Sequence, residues 1–171
     1  MMAACLADGR TTILNAAREP HVADLATALK SMGAHIIGAG TDRIEVHGVA
    51  ALSGIEHRVT PDYLEAGTYA IAAAAVGSDV YITDAPVADL RALILKLRHA
   101  GIEVEVGETW IRVRRHGEIQ PVDLITWTHP GFATDLQPQF TALMTQASGV
   151  AVIQEFLFEH RFSYVPELVR M

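Results

Sequence analysis

The tetrapeptide Val87-Ala88-Asp89-Leu90 repeats an earlier one, Val22-Ala23-Asp24-Leu25. Both copies lie in segments whose apolar residues recur at helical spacing, one beginning at Pro20 and the other at Pro86. Self-similarity at a spacing of roughly 65 to 72 residues indicates repeated modules, none of which buries its sheet and helices alone. We therefore predict an α/β fold (α+β in some schemes) built from such modules.

Each repeated helix is followed by a glycine, Gly33 or Gly101, which is typical of a helix end, and then by two strands with a turn between them. The predicted elements are strands at 11–16, 35–37, 43–47, 55–60, 79–83, 102–106, 110–114, 122–127 and 150–156, and helices at 20–32, 63–76, 86–100 and 136–148, with another helix opening at 165–168. A third copy starts at 136, so the chain is predicted to hold about two and a half modules.

Composition excludes several classes of protein. The 171 residues carry a formal charge of -7, and no basic run extends beyond Arg114-Arg115, which argues against nucleic-acid binding. The apolar run from Ile71 to Val76 is far too short to cross a bilayer, and the N-terminus lacks the pattern of a secretion signal. These observations favour a cytoplasmic protein whose partners are small molecules.

A metal or disulfide site is not predicted. The single cysteine, Cys5, lies among small apolar residues and is predicted to be buried in the core. The eight histidines include no pair at helical i, i+4 spacing, so no metal and no cofactor is expected.

Three acids stand at predicted helix starts: Glu19, Asp62 and Asp135. A carboxylate beside helix N–H groups stays ionised and can accept a hydrogen bond from a hydroxyl, which suits a sugar-like substrate. Each acid also has a purely structural interpretation as a helix cap. For Asp135 this alternative is strong, because Thr134 followed by Gln137 forms a capping-box pattern.

Two further stretches are candidates. In 158–162 an aromatic pair brackets Glu159, His160 and Arg161, which suits a substrate cleft, although a strand end with a solvated charge pair explains it equally. The sequence Gly38-Ala39-Gly40 lacks the lysine and the strand-loop-helix context of a phosphate loop, so we predict a hairpin turn there.

Several strings, in their order along the chain, resemble the enolpyruvyl transferases, and within them the UDP-N-acetylglucosamine 1-carboxyvinyltransferases. The strings are Ala17-Arg18-Glu19-Pro20, Gly38-Ala39-Gly40-Thr41-Asp42-Arg43-Ile44, Pro61-Asp62 with Glu65-Ala66-Gly67-Thr68, His129-Pro130-Gly131-Phe132 with Thr134-Asp135, and Arg161-Phe162 with Val165-Pro166-Glu167-Leu168.

This resemblance implies transfer of the enolpyruvyl group of phosphoenolpyruvate to the 3-hydroxyl of UDP-N-acetylglucosamine, in peptidoglycan synthesis and without a metal. It implies two domains, each of three βαβαββ-type modules in an inverse α/β barrel. Residues 1–60 would be the last module of one domain. Residues 61–171 would be the first module and part of the second module of the other.

By position, the resemblance implies that Asp135 contacts the sugar 3-hydroxyl and takes its proton. The other substrate-side positions that it implies are Leu157 as a main-chain contact, Phe158 and Arg161 as cleft wall, and Glu19 and Asp62 on the hinge side. The chain departs from the family pattern at Pro138, at His160 where Asn is expected, and at Tyr63-Leu64.

The resemblance also places the family's reactive-cysteine loop, its phosphate-binding arginines and its uridine-diphosphate loop before Met1, so Cys5 does not match the catalytic cysteine. We therefore predict a central fragment that carries Asp135 and has no turnover alone. Two alternatives remain: a non-catalytic module that associates with itself through exposed module faces, and the sister enzyme acting on shikimate 3-phosphate.

Overall fold

The computed structural model describes residues 1–171 and contains short helices packed against small sheets. The α-helices are α1 Met2–Cys5, α2 Pro20–Ser31, α3 Tyr63–Val76, α4 Arg91–His99, α5 Gln137–Met144 and α6 Val165–Arg170. The strands are β1 Arg10–Leu14, β2 His35–Ile37, β3 Arg43–His47, β4 Asp79–Thr83, β5 Glu103–Val106, β6 Trp110–Arg114, β7 Leu124–Ile125 and β8 Ile153–Gln154. The chain divides into two compact units, Met1–Thr60 and Pro61–Met171.

The first unit contains a three-stranded antiparallel sheet in the order β1-β3-β2. Arg10 pairs with His47 on one side of β3, and His35 pairs with the same residue on the other side. Alternation along β3 directs Ile44 and Val46 into the core, where both are at most 1% exposed. Cys5 is fully buried in the same core, as predicted.

The second unit repeats this sheet. Its strands lie in the order β4-β6-β5, again antiparallel, with Asp79 and Glu103 paired to Arg114 on either side of the central strand. The strand-helix-hairpin order of the first unit therefore recurs, and the predicted mixed α/β architecture is confirmed. Glycines with positive φ follow the helices at Gly33 and Gly101, as predicted, and also at Gly77.

The start of the third copy is less regular than predicted. Strands at 122–127 and 150–156 were expected, but only β7 and β8 form a ladder, which is parallel. Side chains take the place of backbone partners at its ends: the Val152 amide donates to the Asp123 carboxylate, and the Phe156 amide donates to the Thr126 hydroxyl. These bonds compete with the ladder and shorten both strands.

One other predicted element is wrong, and a second differs at its start. Residues 55–60 form no strand, because no backbone ladder pairs with them. The helix predicted at 86–100 begins as a 3-10 turn, Val87–Leu90, since Pro86 has a non-helical ψ of 75° and the α-helix starts only at Arg91. The repeated tetrapeptide therefore forms a tight 3-10 turn in the second unit, whereas it lies inside α2 in the first.

The turn between β2 and β3 gives a matched pair of glycines. Gly38 and Gly40 have φ values of 80° and 84°, but a methyl group on Gly38 would lie 2.1 Å from the Arg43 carbonyl oxygen, whereas one on Gly40 would meet nothing within 4 Å. We expect Gly40→Ala to cost about 1–2 kcal/mol through φ alone. Gly38→Ala should cost about 1–3 kcal/mol more through the clash.

Hydrogen exchange of the buried Val46 amide in the full chain would measure both costs. Equal protection in the two variants would contradict the predicted clash with Arg43.

Candidate functional site

The 3-10 turn Thr134–Leu136 presents Asp135 between β7 and α5. The residues on either side of Asp135 hold the turn in place by packing into the core. Leu136 is 2% exposed and Thr134 is 8% exposed, whereas the Asp135 side chain is 50% exposed. Neither the turn nor α5 has a side-chain cap. The capping interpretation of Thr134, Gln137 and Asp135 is therefore wrong, and the physical reason is that the Thr134 hydroxyl and the Asp135 carboxylate bond elsewhere.

Helix α5 holds the turn in place through buried residues. The Phe140 side chain is fully buried, and its ring meets that of Phe132 edge to face, with centroids 5.4 Å apart. Gln137 is also fully buried, and the Tyr164 hydroxyl lies 2.9 Å from its Oε1 atom. Pro138, which departs from the family pattern, stands in the first turn of α5. The backbone N–H that proline lacks would have no partner within the helix there, so the proline costs no hydrogen bond.

Arg161 connects Asp135 to Phe158. Its guanidinium donates a hydrogen bond to Asp135 Oδ1 and lies 5.3 Å from the centroid of the Phe158 ring. The pairing of Arg161 with Glu159, which the sequence allowed, is absent, and these residues lie in turns rather than at a strand end. The structure thus assembles a half-exposed carboxylate, a cation and an aromatic ring at one place.

His160 precedes Arg161 with a φ of 60°, in the left-handed region. Asn adopts this conformation more readily than most residues, which gives a physical reason for the Asn that the family resemblance leads us to expect there. The departure at His160 therefore concerns backbone geometry, and the side chain of Arg161 still reaches Asp135.

Glu155 was missed by the sequence analysis, although its carboxylate lies at the centre of this region. Its Oε1 accepts from the Thr126 hydroxyl and the Leu157 amide, both at 2.8 Å, and from the Phe158 amide at 3.2 Å. Its Oε2 accepts from the Thr134 hydroxyl at 2.7 Å. An acid directly after an apolar strand, with threonines in the neighbouring loops, is too common a pattern to single out.

Burial disfavours the charged form of Glu155, but hydrogen bonds from two backbone amides and two threonine hydroxyls together outweigh burial. The pKa of Glu155 therefore lies below its ordinary value of 4.5.

The other two predicted acids have different surroundings. Asp62 caps α3, since its Oδ1 accepts from the Leu64 amide at 2.8 Å, and it lines a groove of about 530 Å³ beside β4. Glu19 stands at the N-cap position of α2 without a capping bond, and its Oε2 is buried without a hydrogen-bond partner. Asp62 shares the unit Pro61–Met171 with Asp135, and Glu19 belongs to Met1–Thr60.

No group of three or more His, Cys, Asp or Glu side chains is arranged to hold a metal ion. Every helix is too short or too polar to cross a membrane.

Comparison with known proteins decides the family. The family model described as EPSP synthase (3-phosphoshikimate 1-carboxyvinyltransferase) matches residues 1–171. The chain belongs to the EPSP synthase family. Within this family it is 55% identical over its whole length to a UDP-N-acetylglucosamine 1-carboxyvinyltransferase from Hyphomonas neptunium, and 50% identical to one from Acidobacterium capsulatum. The chain spans 41% and 39% of the length of these relatives.

Two solved structures share the fold. The enolpyruvyl transferase NikO from Streptomyces tendae superposes with a TM-score of 0.83 and 27% identity over 97% of this chain and 40% of its own. An EPSP synthase from Acinetobacter baumannii superposes with a TM-score of 0.63 at 18% identity, covering 99% of this chain and 40% of its own, which shows a shared fold alone. The predicted relation to enolpyruvyl transferases is therefore confirmed.

Proposed function

We propose that this chain carries the acceptor-hydroxyl side of a UDP-N-acetylglucosamine 1-carboxyvinyltransferase site, working in the cytoplasm on a peptidoglycan precursor. The observation that carries the proposal is the half-exposed Asp135, which Arg161 holds by one oxygen, in a chain that is 50 to 55% identical to relatives with that name. The complete reaction would move the carboxyvinyl group of phosphoenolpyruvate to the sugar 3-hydroxyl.

The geometry suits Asp135 to a proton-accepting role. Arg161 bonds to Oδ1, which leaves Oδ2 to accept the proton of the sugar hydroxyl. The oxygen that loses this proton attacks C2 of the enolpyruvyl group while C3 gains a proton. The tetrahedral product then loses a proton from C3 as phosphate leaves C2, which restores the C2–C3 double bond. Positioning dominates such an addition and elimination.

The neighbouring loop would form the wall of the acceptor site. The Phe158 ring is 55% exposed and offers an apolar face to a substrate. The Leu157 amide already donates to Glu155, so a main-chain contact from Leu157 to the substrate would use its carbonyl oxygen. Glu19 and Asp62 are assigned to the hinge side by family position only.

The two units fit this proposal as parts of different domains. We assign Met1–Thr60 to the last module of one domain, and Pro61–Met171 to the first module and part of the second module of the other. The repeated sheet order supports the modular assignment.

A chimera tests the proposal. The 171 residues replace the matching segment of the Hyphomonas neptunium relative, to which they are 55% identical, and phosphate release from phosphoenolpyruvate is measured. We expect release with UDP-N-acetylglucosamine, none with shikimate 3-phosphate, and none from the isolated chain. Release with shikimate 3-phosphate alone would favour the sister enzyme, and turnover by the isolated chain would refute its predicted inactivity.

A non-catalytic, self-associating module is the second candidate, and exposed aromatic side chains favour it. Trp127 and Phe156 are 57% and 61% exposed and contact each other edge to face, with ring centroids 5.7 Å apart. Such a patch is a candidate interface between copies. Light scattering of the isolated chain would show a dimer or larger assembly if this candidate is right, and a stable monomer would exclude it.

A further inference from the structure

Glu155 divides its two carboxylate oxygens between two separate segments of the candidate site. One oxygen holds consecutive backbone amides, those of Leu157 and Phe158. The other oxygen holds the hydroxyl of Thr134, the residue immediately before Asp135. A single side chain therefore links the backbone beside the proposed substrate wall to the turn that presents the proposed base.

Glu155 orients Asp135 through Thr134, the residue that precedes Asp135 in the chain. Thr134 is 8% exposed, and its hydroxyl makes no helix cap, so its bond to Glu155 is the polar contact that orients the start of the 3-10 turn. On the other side, two amides that face one carboxylate oxygen restrict the backbone that leads to Arg161. Both partners of the Asp135–Arg161 ion pair thus belong to segments that Glu155 holds.

We propose that Glu155 is a positioning residue, which sets the Asp135 turn and the Leu157–Phe158 backbone at the separation that the acceptor hydroxyl requires. Glu155 acts through these neighbours and touches no reacting atom. The link to the hydroxyl rests on the function proposed above, whereas the coupling of the two segments rests on the hydrogen bonds alone.

The ionised form of Glu155 is the one that can hold both segments, because all of its observed hydrogen-bond partners are donors. No Lys, Arg or His forms an ion pair with it. Of the charged and titratable side chains in the two segments, Asp135 and Arg161 pair with each other, and Glu159 and His160 are exposed to solvent. Its pKa is lowered in the folded protein, so its stabilising contribution is complete above about pH 4.5 and is lost as the pH falls through the folded value.

The first test is an NMR titration of the full chain. We expect the amide protons of Leu157 and Phe158 to shift together with one apparent pKa below 4.5, because protonation removes their acceptor. In Glu155→Gln this titration should vanish, while in Glu159→Gln, a matched change at an exposed neighbour, it should persist. Amide protons that do not titrate in the unmodified chain overturn the proposal, whether or not the variant folds.

The second test is a double-substitution cycle in the chimera described above. Glu155→Gln should lower kcat/KM by about tenfold or more. The loss in the pair Glu155→Gln with Asp135→Asn should be smaller than the product of the two single losses, since part of the effect of Glu155 passes through Asp135. Independent, multiplying losses would overturn the positioning role. A chimera without any phosphate release refutes the proposed function, and the titration then decides the role of Glu155 by itself.

Discussion

Asp135→Asn is expected to lower the turnover number of the chimera by about a hundredfold or more, which is the effect of removing a well-placed general base. Asn has nearly the same shape as Asp, and its amide oxygen can still accept the hydrogen bond from Arg161. The substitution therefore removes the proton acceptor and leaves the surrounding contacts in place. Steady-state phosphate release at saturating concentrations of both substrates measures the effect.

A stability measurement separates this effect from misfolding. The Asp135 side chain is half exposed and caps no helix, so the free energy of unfolding should change by less than about 1 kcal/mol. Glu167→Gln is a suitable control, because Glu167 is exposed and pairs only with Arg170 on the same helix. If Asp135→Asn retained turnover within about threefold of the unmodified chimera, Asp135 could not be the base.

Phe140→Ala is expected to destabilise the unit Pro61–Met171 by about 3–5 kcal/mol, the usual cost of deleting a buried aromatic ring. Phe140 is fully buried, and its edge-to-face contact with Phe132 joins α5 to the loop that leads to Asp135. Both tryptophans, Trp110 and Trp127, belong to this unit, so urea unfolding followed by their fluorescence reports its stability.

Phe156→Ala provides the aromatic control. Phe156 is 61% exposed and contacts Trp127 at the surface, so we expect its loss to cost less than about 1 kcal/mol. A similar cost for Phe140→Ala and Phe156→Ala would show that α5 does not belong to the core, and would remove the structural support that we assign to the Asp135 turn.

Much of the fold could be predicted because its signals are local. The helix at 63–76 was predicted with its observed ends, because Asp62 caps its start and Gly77 takes a left-handed conformation at its end. The strands at 79–83 and 110–114 also match, since alternating side chains on a half-buried sheet leave a period of two in the sequence. The strand predicted at 55–60 shows the limit, because an extended segment becomes a strand only when a ladder partner is present.

The candidate site was predictable only in part, for a similar reason. The order of residues and the family strings pointed to Asp135, Phe158 and Arg161, and the structure brings these three together. The local composition of the sequence does not show which of two distant side chains an ionised residue pairs with. Arg161 could pair with Glu159 beside it or with Asp135 far upstream, and only the folded chain brings the second partner within reach.

The repeated strand-helix-hairpin units, the glycine helix ends and the family follow from the amino-acid sequence alone, because they depend on periodicity and on residue types at fixed spacing. Two features depend on the folded chain: Thr134 bonds to Glu155 instead of capping α5, and one carboxylate joins two loops of the site. The physical reason is that a hydrogen-bonding side chain takes the best partner within reach, and the fold determines which partners are within reach.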